Sequence, residues 1–240
     1  MKIQLCLLTL FLSLATTGVH ADTVFGILEA DTYIRVGNAN DNFGTSNTML
    51  VGRTSTGRFN GLLRFDLTNL TALGTEGVDY TINSVTLTGT TTSSAGSGTN
   101  IDYSLYEYGF DFVENVATWN DPDGDGNAGT GDTIAGGTFG PTALSTVTVA
   151  NAATTLQSIT FADSSAFQAS ISGALSGGSI NLLLNLDPNA DRFLRFQQND
   201  GTNADPFELA VDVTIIPEPS TLALFGLVGA AALVGYRRKR

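Results

Sequence analysis

Apolar and polar residues alternate in short stretches along most of this chain. In residues 61–67, Leu63, Phe65 and Leu67 share one parity, and Arg64 and Asp66 between them are charged. Residues 207–215 alternate in the same way. A period of two is typical of a strand that buries one face. Stretches rich in Gly, Asn, Asp, Ser and Thr separate these patterns and indicate turns.

The predicted strands share this alternation and are short: 32–36, 49–52, 61–67, 84–88, 101–108, 147–149, 159–161, 180–186 and 207–215. One stretch differs, because Phe167, Ile171 and Leu175 fall at helical spacing. Asp163 or Ser164 can cap the start of this helix and Gly177 can end it. The pattern predicts an all-β fold, a two-sheet antiparallel β-sandwich of jelly-roll type with one short helix.

The first 21 residues have the features of a secretory signal peptide. Lys2 gives a positive start, an apolar run covers residues 3–14, and small residues precede a cut after Ala21. An uncleaved membrane anchor is the alternative, which the short apolar run disfavours. Removal of this segment also removes Cys6 and His20, the only Cys and the only His of the chain.

Residues 217–240 contain an apolar segment, Thr221 to Tyr236, followed at once by four basic residues. As a helix the segment reaches about the lower limit for spanning a bilayer. The basic residues favour a cytoplasmic C-terminus, which places residues 22–216 outside the cell. We therefore expect a C-terminal transmembrane helix after the domain.

The same tail resembles a PEP-CTERM sorting signal, through Pro217, Glu218 and Pro219, the apolar span, and a basic end that includes Arg237 and Arg238. The resemblance implies a Gram-negative-type bacterium, secretion machinery, an exosortase that removes the tail, and a link to exopolysaccharide and biofilm. It also implies a protein that is transiently anchored in the inner membrane and then displayed at the cell surface or released into the matrix. A plain single-pass anchor that is never cut is the alternative.

The segment 22–216 that remains after both ends are removed is strongly acidic. Six arginines against 22 acidic residues give it a net charge of −16. Such a surface repels nucleic acid and anionic membranes and attracts divalent cations. We therefore expect no nucleic-acid partner.

Several motifs in this segment resemble the DNRLRE, or disaggregatase-related, domain of secreted and cell-surface proteins. The matching motifs are Asp31 to Arg35, the Asn-rich loop ending at Phe43-Gly44, Leu62 to Leu67, Ala117 to Asn120, and Pro206 to Leu209. The likeness extends from Asp31 to about Val213. It implies a β-sandwich and, as in some members of the family, a non-catalytic module that binds polysaccharide.

The loop that follows Trp119 predicts a calcium site. Counted from Asp121, carboxylates stand at positions 1, 3, 5 and 12 (Asp121, Asp123, Asp125 and Asp132), with Gly126 at position 6 and Asn127 at position 7. This is the spacing of an EF-hand-type calcium loop, although Asp replaces the usual Glu at position 12. No flanking helices are indicated, so the expectation is a bare loop with a structural Ca²⁺ ion. A solvated acidic loop is the alternative.

Aromatic and arginine residues are the candidates for glycan binding. Tyr103 lies on one parity of its strand, and Tyr106 and Tyr108 lie on the other, so one or two of these rings could stack on a sugar. Arg35 and Arg64 could each bind an acidic glycan, or could instead pair with nearby acids. Trp119, the only Trp, could stack on a sugar, although core packing is the favoured reading.

The absence of His and Cys from residues 22–216 excludes the usual nucleophilic triads and zinc sites. We therefore expect a protein that is not an enzyme, and the DNRLRE resemblance implies that it binds or organises polysaccharide. A purely structural matrix or adhesion protein is the first alternative. A glycan lyase or hydrolase that uses two carboxylates is a less favoured one.

Overall fold

The computed structural model describes residues 20–55, 57–96, 100–125, 142–150, 157–186, 192–198 and 206–217, apart from the side chains of residues 94–96. These residues form β1 (His20–Phe25), β2 (Ile27–Arg35), β3 (Thr48–Thr54), β4 (Gly57–Asp66), α1 (Thr68–Thr71), β5 (Tyr80–Gly96), β6 (Ile101–Glu107), β7 (Ser145–Val149), β8 (Gln157–Phe161), α2 (Ser165–Ala174), β9 (Ser179–Leu186), β10 (Arg192–Gln197) and β11 (Phe207–Ile215). The predicted all-β fold is confirmed.

The strands join in one curled antiparallel sheet. Its order is β1-β11-β5-β10-β3-β4-β9-β6-β7, with β2 added beside β4 and β8 beside β5. The predicted arrangement of two sheets corresponds to the two halves of this sheet. The halves stay connected because β3 pairs with β4 over a few residues, from Gly52↔Phe59 to Thr54↔Gly57. The main core lies between the halves.

The alternating residues lie on the faces that the pattern predicts. In β11, Leu209, Val211 and Val213 are buried, whereas Glu208 and Asp212 are exposed. The three buried residues pack with residues of β4 and β9 in the main core. β9 lies between β4 and β6, and both of its faces are buried, which explains its nearly continuous apolar run.

The predicted helix is present as α2. The Ser164 hydroxyl accepts a hydrogen bond from the Phe167 N–H and caps the first turn. Phe167 and Ile171 are buried against the main core. A 3₁₀ turn follows, and Gly178, with φ +75°, ends the element one residue later than predicted. The single-turn helix α1 was not predicted.

Residues 107–125, which we call the strap, cover the outer face of the sheet half that contains β2, β4 and β9. Tyr108, Phe112, Ala117 and Trp119 of the strap belong to a second apolar cluster, and the sheet contributes Ala30, Ile34, Leu62 and Leu183. This half of the sheet therefore buries both faces, one in the main core and one under the strap.

Several predicted features lie outside the described residues: most of the signal peptide, the tail after Pro217, Gly126, Asn127 and Asp132. β1 begins at His20, so the predicted cut after Ala21 falls inside this strand. Within the residues that are described, no helix is both long enough and apolar enough to cross a bilayer.

Candidate functional site

Two of the three tyrosines predicted to bind sugars are buried, so the prediction is wrong for them. Tyr103 is 1% exposed in the main core, and burial raises the pKa of its hydroxyl well above the ordinary value. Tyr108 is 3% exposed under the strap, and its hydroxyl donates a hydrogen bond to the Pro122 carbonyl. Neither ring offers a face to a ligand. Tyr106 is partly exposed on the outer face of β6 and remains a candidate.

Trp119 belongs to the apolar cluster under the strap and is 9% exposed, as the core-packing interpretation predicts.

Arg64 pairs with acidic residues, which is the alternative that the sequence left open. Its guanidinium lies 3.3 Å from Glu29 and forms an ion pair with Asp111. It also donates a hydrogen bond to the Phe112 carbonyl and lies over the Phe112 ring, 5.6 Å from its centre. Arg64 therefore fastens the strap to the sheet, and its charge is already neutralised.

Arg35 lies in a different place, at the end of β2 and on the other face of the sheet. It pairs across the strands with Phe59, and its guanidinium carbon lies 4.9 Å from the centre of the Phe59 ring. Within the part of the chain that the structure describes, Arg35 has no carboxylate partner. Its Nε atom is buried and has no hydrogen-bond partner.

A row of residues across four strands extends this contact. Phe59 of β4 pairs with Gly52 of β3, and Gly52 pairs with Phe193 of β10. Gly52 has φ +141°, and a Cβ atom there would lie 2.3 Å from the Arg192 carbonyl oxygen. Because Gly52 has no side chain, the rings of Phe59 and Phe193 meet across it, with centres 5.9 Å apart.

A second arginine completes the row. The guanidinium carbon of Arg195 lies 5.5 Å from the centre of the Phe193 ring, and its side chain is exposed. Tyr33 lies 6.3 Å from Phe59, between ring centres, and stacks on Phe43 at 4.3 Å. We call Tyr33, Arg35, Phe59, Phe193 and Arg195 the arginine rim.

The electrostatics of the rim are set by its two arginines. Burial raises the pKa of Tyr33, and the positive charges of Arg35 and Arg195 oppose that rise. Both guanidinium groups therefore act on one phenol, and, within the described part of the chain, neither has a carboxylate partner. The rim is a local positive surface on a domain whose net charge is strongly negative.

The sequence contained a signal for part of this site. In Arg192–Gln197, Leu194 and Phe196 are buried and Arg195 is exposed, which is the alternation of a strand, but it was not predicted as one. Only the pairing of β10 with β3 brings Phe193 and Arg195 to the strands that carry Phe59 and Arg35.

The described part of the predicted calcium loop brings three acids together. Oxygen atoms of Asp121, Asp123 and Asp125 all lie within 4.8 Å of one another. Asp121 accepts a hydrogen bond from the Gly124 N–H at 3.0 Å, and Gly124 has φ +74°. The Asp123 carbonyl accepts a hydrogen bond from the Val113 N–H, which ties these loop residues to an earlier part of the strap. Carboxylates at alternate positions of a tight turn suit calcium, which prefers oxygen ligands.

Comparison with protein families gives two matches. Residues 23–135 match carbohydrate-binding module family 96, and residues 216–240 match the PEP-CTERM protein-sorting motif. The first match covers a little under half of the chain and includes β1 to β6, the strap and two strands of the rim. Over these residues the chain is similar to a carbohydrate-binding module and to a sorting motif. The predicted PEP-CTERM signal is confirmed, whereas the name DNRLRE is not.

Solved structures give distant likenesses. The cleaved adhesin domain K1 of Lys-gingipain from Porphyromonas gingivalis is 13% identical, with a TM-score of 0.23; the alignment covers 83% of this chain and 99% of that domain. A protein from Bacteroides thetaiotaomicron described as a candidate glycoside hydrolase is 14% identical, with a TM-score of 0.22, over 78% of this chain and 63% of its own. These scores carry no argument about fold or activity. No curated protein matches the chain.

The two family matches together indicate an exported, surface-associated protein with a carbohydrate-binding domain.

Proposed function

We propose that this protein is a non-catalytic, exported module that binds acidic polysaccharide through the arginine rim. The observation that carries the proposal is the row Arg35–Phe59–Phe193–Arg195, in which two arginines flank two aromatic rings. Phe59 is only 3% exposed and packs against Phe193, so the partly exposed Phe193 is the ring that can face a sugar. Aromatic rings stack on the apolar faces of sugars, and guanidinium groups bind carboxylate or sulfate through paired hydrogen bonds. A polymer that carries both kinds of group fits this surface.

Charge favours an acidic ligand for a second reason. The domain is negative overall, so a polyanion is repelled except where positive charge is concentrated. Arg35 and Arg195 provide such a place because no acid on the described part of the chain neutralises them. Arg64, by contrast, is paired with Glu29 and Asp111 and is not part of the proposed site.

Affinity electrophoresis of the exported protein in gels that contain a polyuronate, a sulfated galactan or a neutral glucan tests this function. We expect retardation by at least one acidic polymer, weakened by salt because screening acts on exposed charges. Arg195→Gln should weaken this retardation about 3- to 10-fold, because the loss of one exposed hydrogen bond costs ~1 kcal/mol.

Glu208→Gln is the matched control, since it also changes the net charge by one unit but lies on β11, away from the rim. If the overall charge governed binding, this variant would bind the polyanion more tightly. Equal mobility of the wild type in all gels would reject the binding function and leave the structural matrix protein as the better account.

We also propose that an exosortase recognises Pro217, Glu218 and Pro219 and removes the tail that ends in Arg237 to Arg240. The sorting-motif match supports this proposal. β11 ends at Ile215, and the Ile216 N–H still bonds to the Asp79 carbonyl, so the motif begins directly at the edge of the folded domain. Intact-mass measurement of protein from the native host should show loss of the tail, and Glu218→Ala should block that loss but not export. A mature protein that keeps the tail contradicts the proposal.

A bound Ca²⁺ ion is the remaining part of the proposed function. The closeness of Asp121, Asp123 and Asp125 supports it. The ion would neutralise these acids and order the loop that follows Trp119, and it would have a structural role.

A further inference from the structure

The sheet divides at one residue of β4. Residues Gly61 to Asp66 of this strand pair with β9, and residues Gly57 to Phe59 pair with β3. Asn60 lies between the two segments, at the point where the neighbouring strand changes. We call this point the fork.

The Asn60 side chain lies on the outer face, the face that Ile34 and Leu62 share with the strap cluster. It is 0% exposed, and neither its amide nitrogen nor its amide oxygen has a hydrogen-bond partner. A buried polar group without a partner costs ~1–3 kcal/mol, so such groups are rare in folded proteins. Here both ends of one amide are unsatisfied.

Asn185 extends the same feature onto β9. The register Gly61↔Leu184 places Asn185 opposite Asn60, on the same outer face. Asn185 is 7% exposed, and its amide oxygen is buried without a partner. Asn60 and Asn185 are the positions directly beyond the last β4–β9 pair, and the two amides do not bond to each other. Two buried amides with unsatisfied atoms therefore lie at the fork.

The next strand, β6, is more exposed on this face. Asn185 pairs with Ser104 of β6, and Leu183 pairs with Tyr106, so all of these side chains share the outer face. Ser104 and Tyr106 are partly exposed. Along this outer face, the side chains therefore change from a buried amide on β4 to a partly exposed hydroxyl group and aromatic ring on β6.

We propose that the amides of Asn60 and Asn185 form a subsite that binds sugar hydroxyl groups, with Tyr106 at its open edge. An amide offers both a donor and an acceptor, and so does each hydroxyl group of a pyranose. The inference rests on the proposed function, because it assumes that the protein binds polysaccharide. The proposed subsite differs from the arginine rim in place and in chemistry. It lies on the opposite face of β4, and it recognises hydroxyl groups, which neutral and acidic sugars share.

Substitution of Asn60 by leucine, which has nearly the same volume, tests this subsite in the exported protein. The change removes two unsatisfied polar atoms from a place lined by Ile34 and Leu62, so we expect the melting temperature to rise by about 2–4 °C. We expect retardation by the polysaccharides that the wild type binds to fall about tenfold, because two hydrogen bonds to the ligand are lost. Gain of stability with loss of binding is the combination that a purely structural amide does not give.

Asn185→Leu is the second variant and should lower binding in the same way. Asn181→Leu is the matched control: Asn181 lies on the same strand and face, also has a buried unpaired oxygen, and lies one residue pair beyond Leu183 from the fork. It should leave binding unchanged. The losses caused by Asn60→Leu and Asn185→Leu should persist at high salt, whereas the loss caused by Arg195→Gln should diminish there.

Two results would overturn the subsite alone. A fall in the melting temperature of Asn60→Leu would show that the amide is satisfied within the unliganded protein. Unchanged retardation of Asn60→Leu and Asn185→Leu, with a wild type that does bind, would show that the fork does not contact the ligand. If the wild type binds no polysaccharide, the proposed function fails first, and the subsite fails with it.

Discussion

The loop of Asp121, Asp123 and Asp125 gives a prediction in which one substitution has opposite effects with and without calcium. Their oxygen atoms lie within 4.8 Å of one another. At that separation two unit charges repel by ~1 kcal/mol in a water-like environment, and by less when salt screens them. Removal of the charge at Asp123 relieves two such repulsions.

Asp123→Asn preserves the shape of the side chain and the acceptor that bonds to the Asp125 N–H at 3.3 Å. In the presence of a chelator, we expect this variant to be more stable than the wild type by about 1 kcal/mol. In the presence of calcium the order should reverse. A ligand that binds only the folded state at 100 times its dissociation constant adds about 2.7 kcal/mol, which corresponds to a rise of about 5–10 °C for a domain of this size.

Differential scanning calorimetry of the wild type and Asp123→Asn, each in calcium and in chelator, measures all four melting temperatures. Trp119, two residues before Asp121, provides a fluorescence signal for the same transition. Glu208→Gln on β11 is the control, and it should respond to calcium like the wild type. Equal wild-type melting temperatures in calcium and chelator, with no heat of calcium binding, would refute the site and leave a solvated acidic loop.

Three further predictions concern the framework. Ser164→Ala removes the cap of α2 and should lower the free energy of unfolding by about 1–2 kcal/mol, measured from urea midpoints. Asp212 accepts hydrogen bonds from Thr23 and Ser84, which lower its pKa, so its contribution to stability is present above the unfolded pKa and is lost as the pH falls through the folded pKa. Asp212→Asn should therefore reduce the melting temperature at pH 7, and this effect should shrink as the pH is lowered below the ordinary carboxyl pKa. An effect of constant size over that range would contradict the prediction. Arg64→Met should make the strap more susceptible to limited proteolysis within residues 107–125, and unchanged cleavage would show that the ion pairs do not fasten it.

The alternation of residues was sufficient to predict most of the strands. It gave the faces of β11 correctly, and it placed β9 in the interior because Leu183 fills the face opposite to Leu182 and Leu184. The capping serine and the spacing of Phe167 and Ile171 gave α2. These features depend on residues that are close in the sequence, where strand and helix periods act directly.

The candidate site was harder to predict from the sequence. Parity correctly separated Tyr103 from Tyr106 and Tyr108, but it could not show that Tyr108 would be covered. Arg35 and Arg64 looked equivalent, since both lie in strands of the same hairpin region. The strap supplies Asp111 and the Phe112 carbonyl to Arg64 alone, so one arginine became a structural tie and the other remained at the surface.

The sequence by itself determined the sorting motif, the all-β class, the strongly acidic charge and the spacing of the loop acids, because each is a property of composition or of local order. The signal peptide stays a prediction from the same kind of pattern. Only the tertiary structure decided where the proposed binding surfaces lie. The rim joins Arg35 and Phe59 to Phe193 and Arg195, more than a hundred residues later, across the bare backbone of Gly52. The fork places Asn60 opposite Asn185. Both depend on which strands become neighbours, and the local sequence of a strand does not specify which other strand its backbone will pair with.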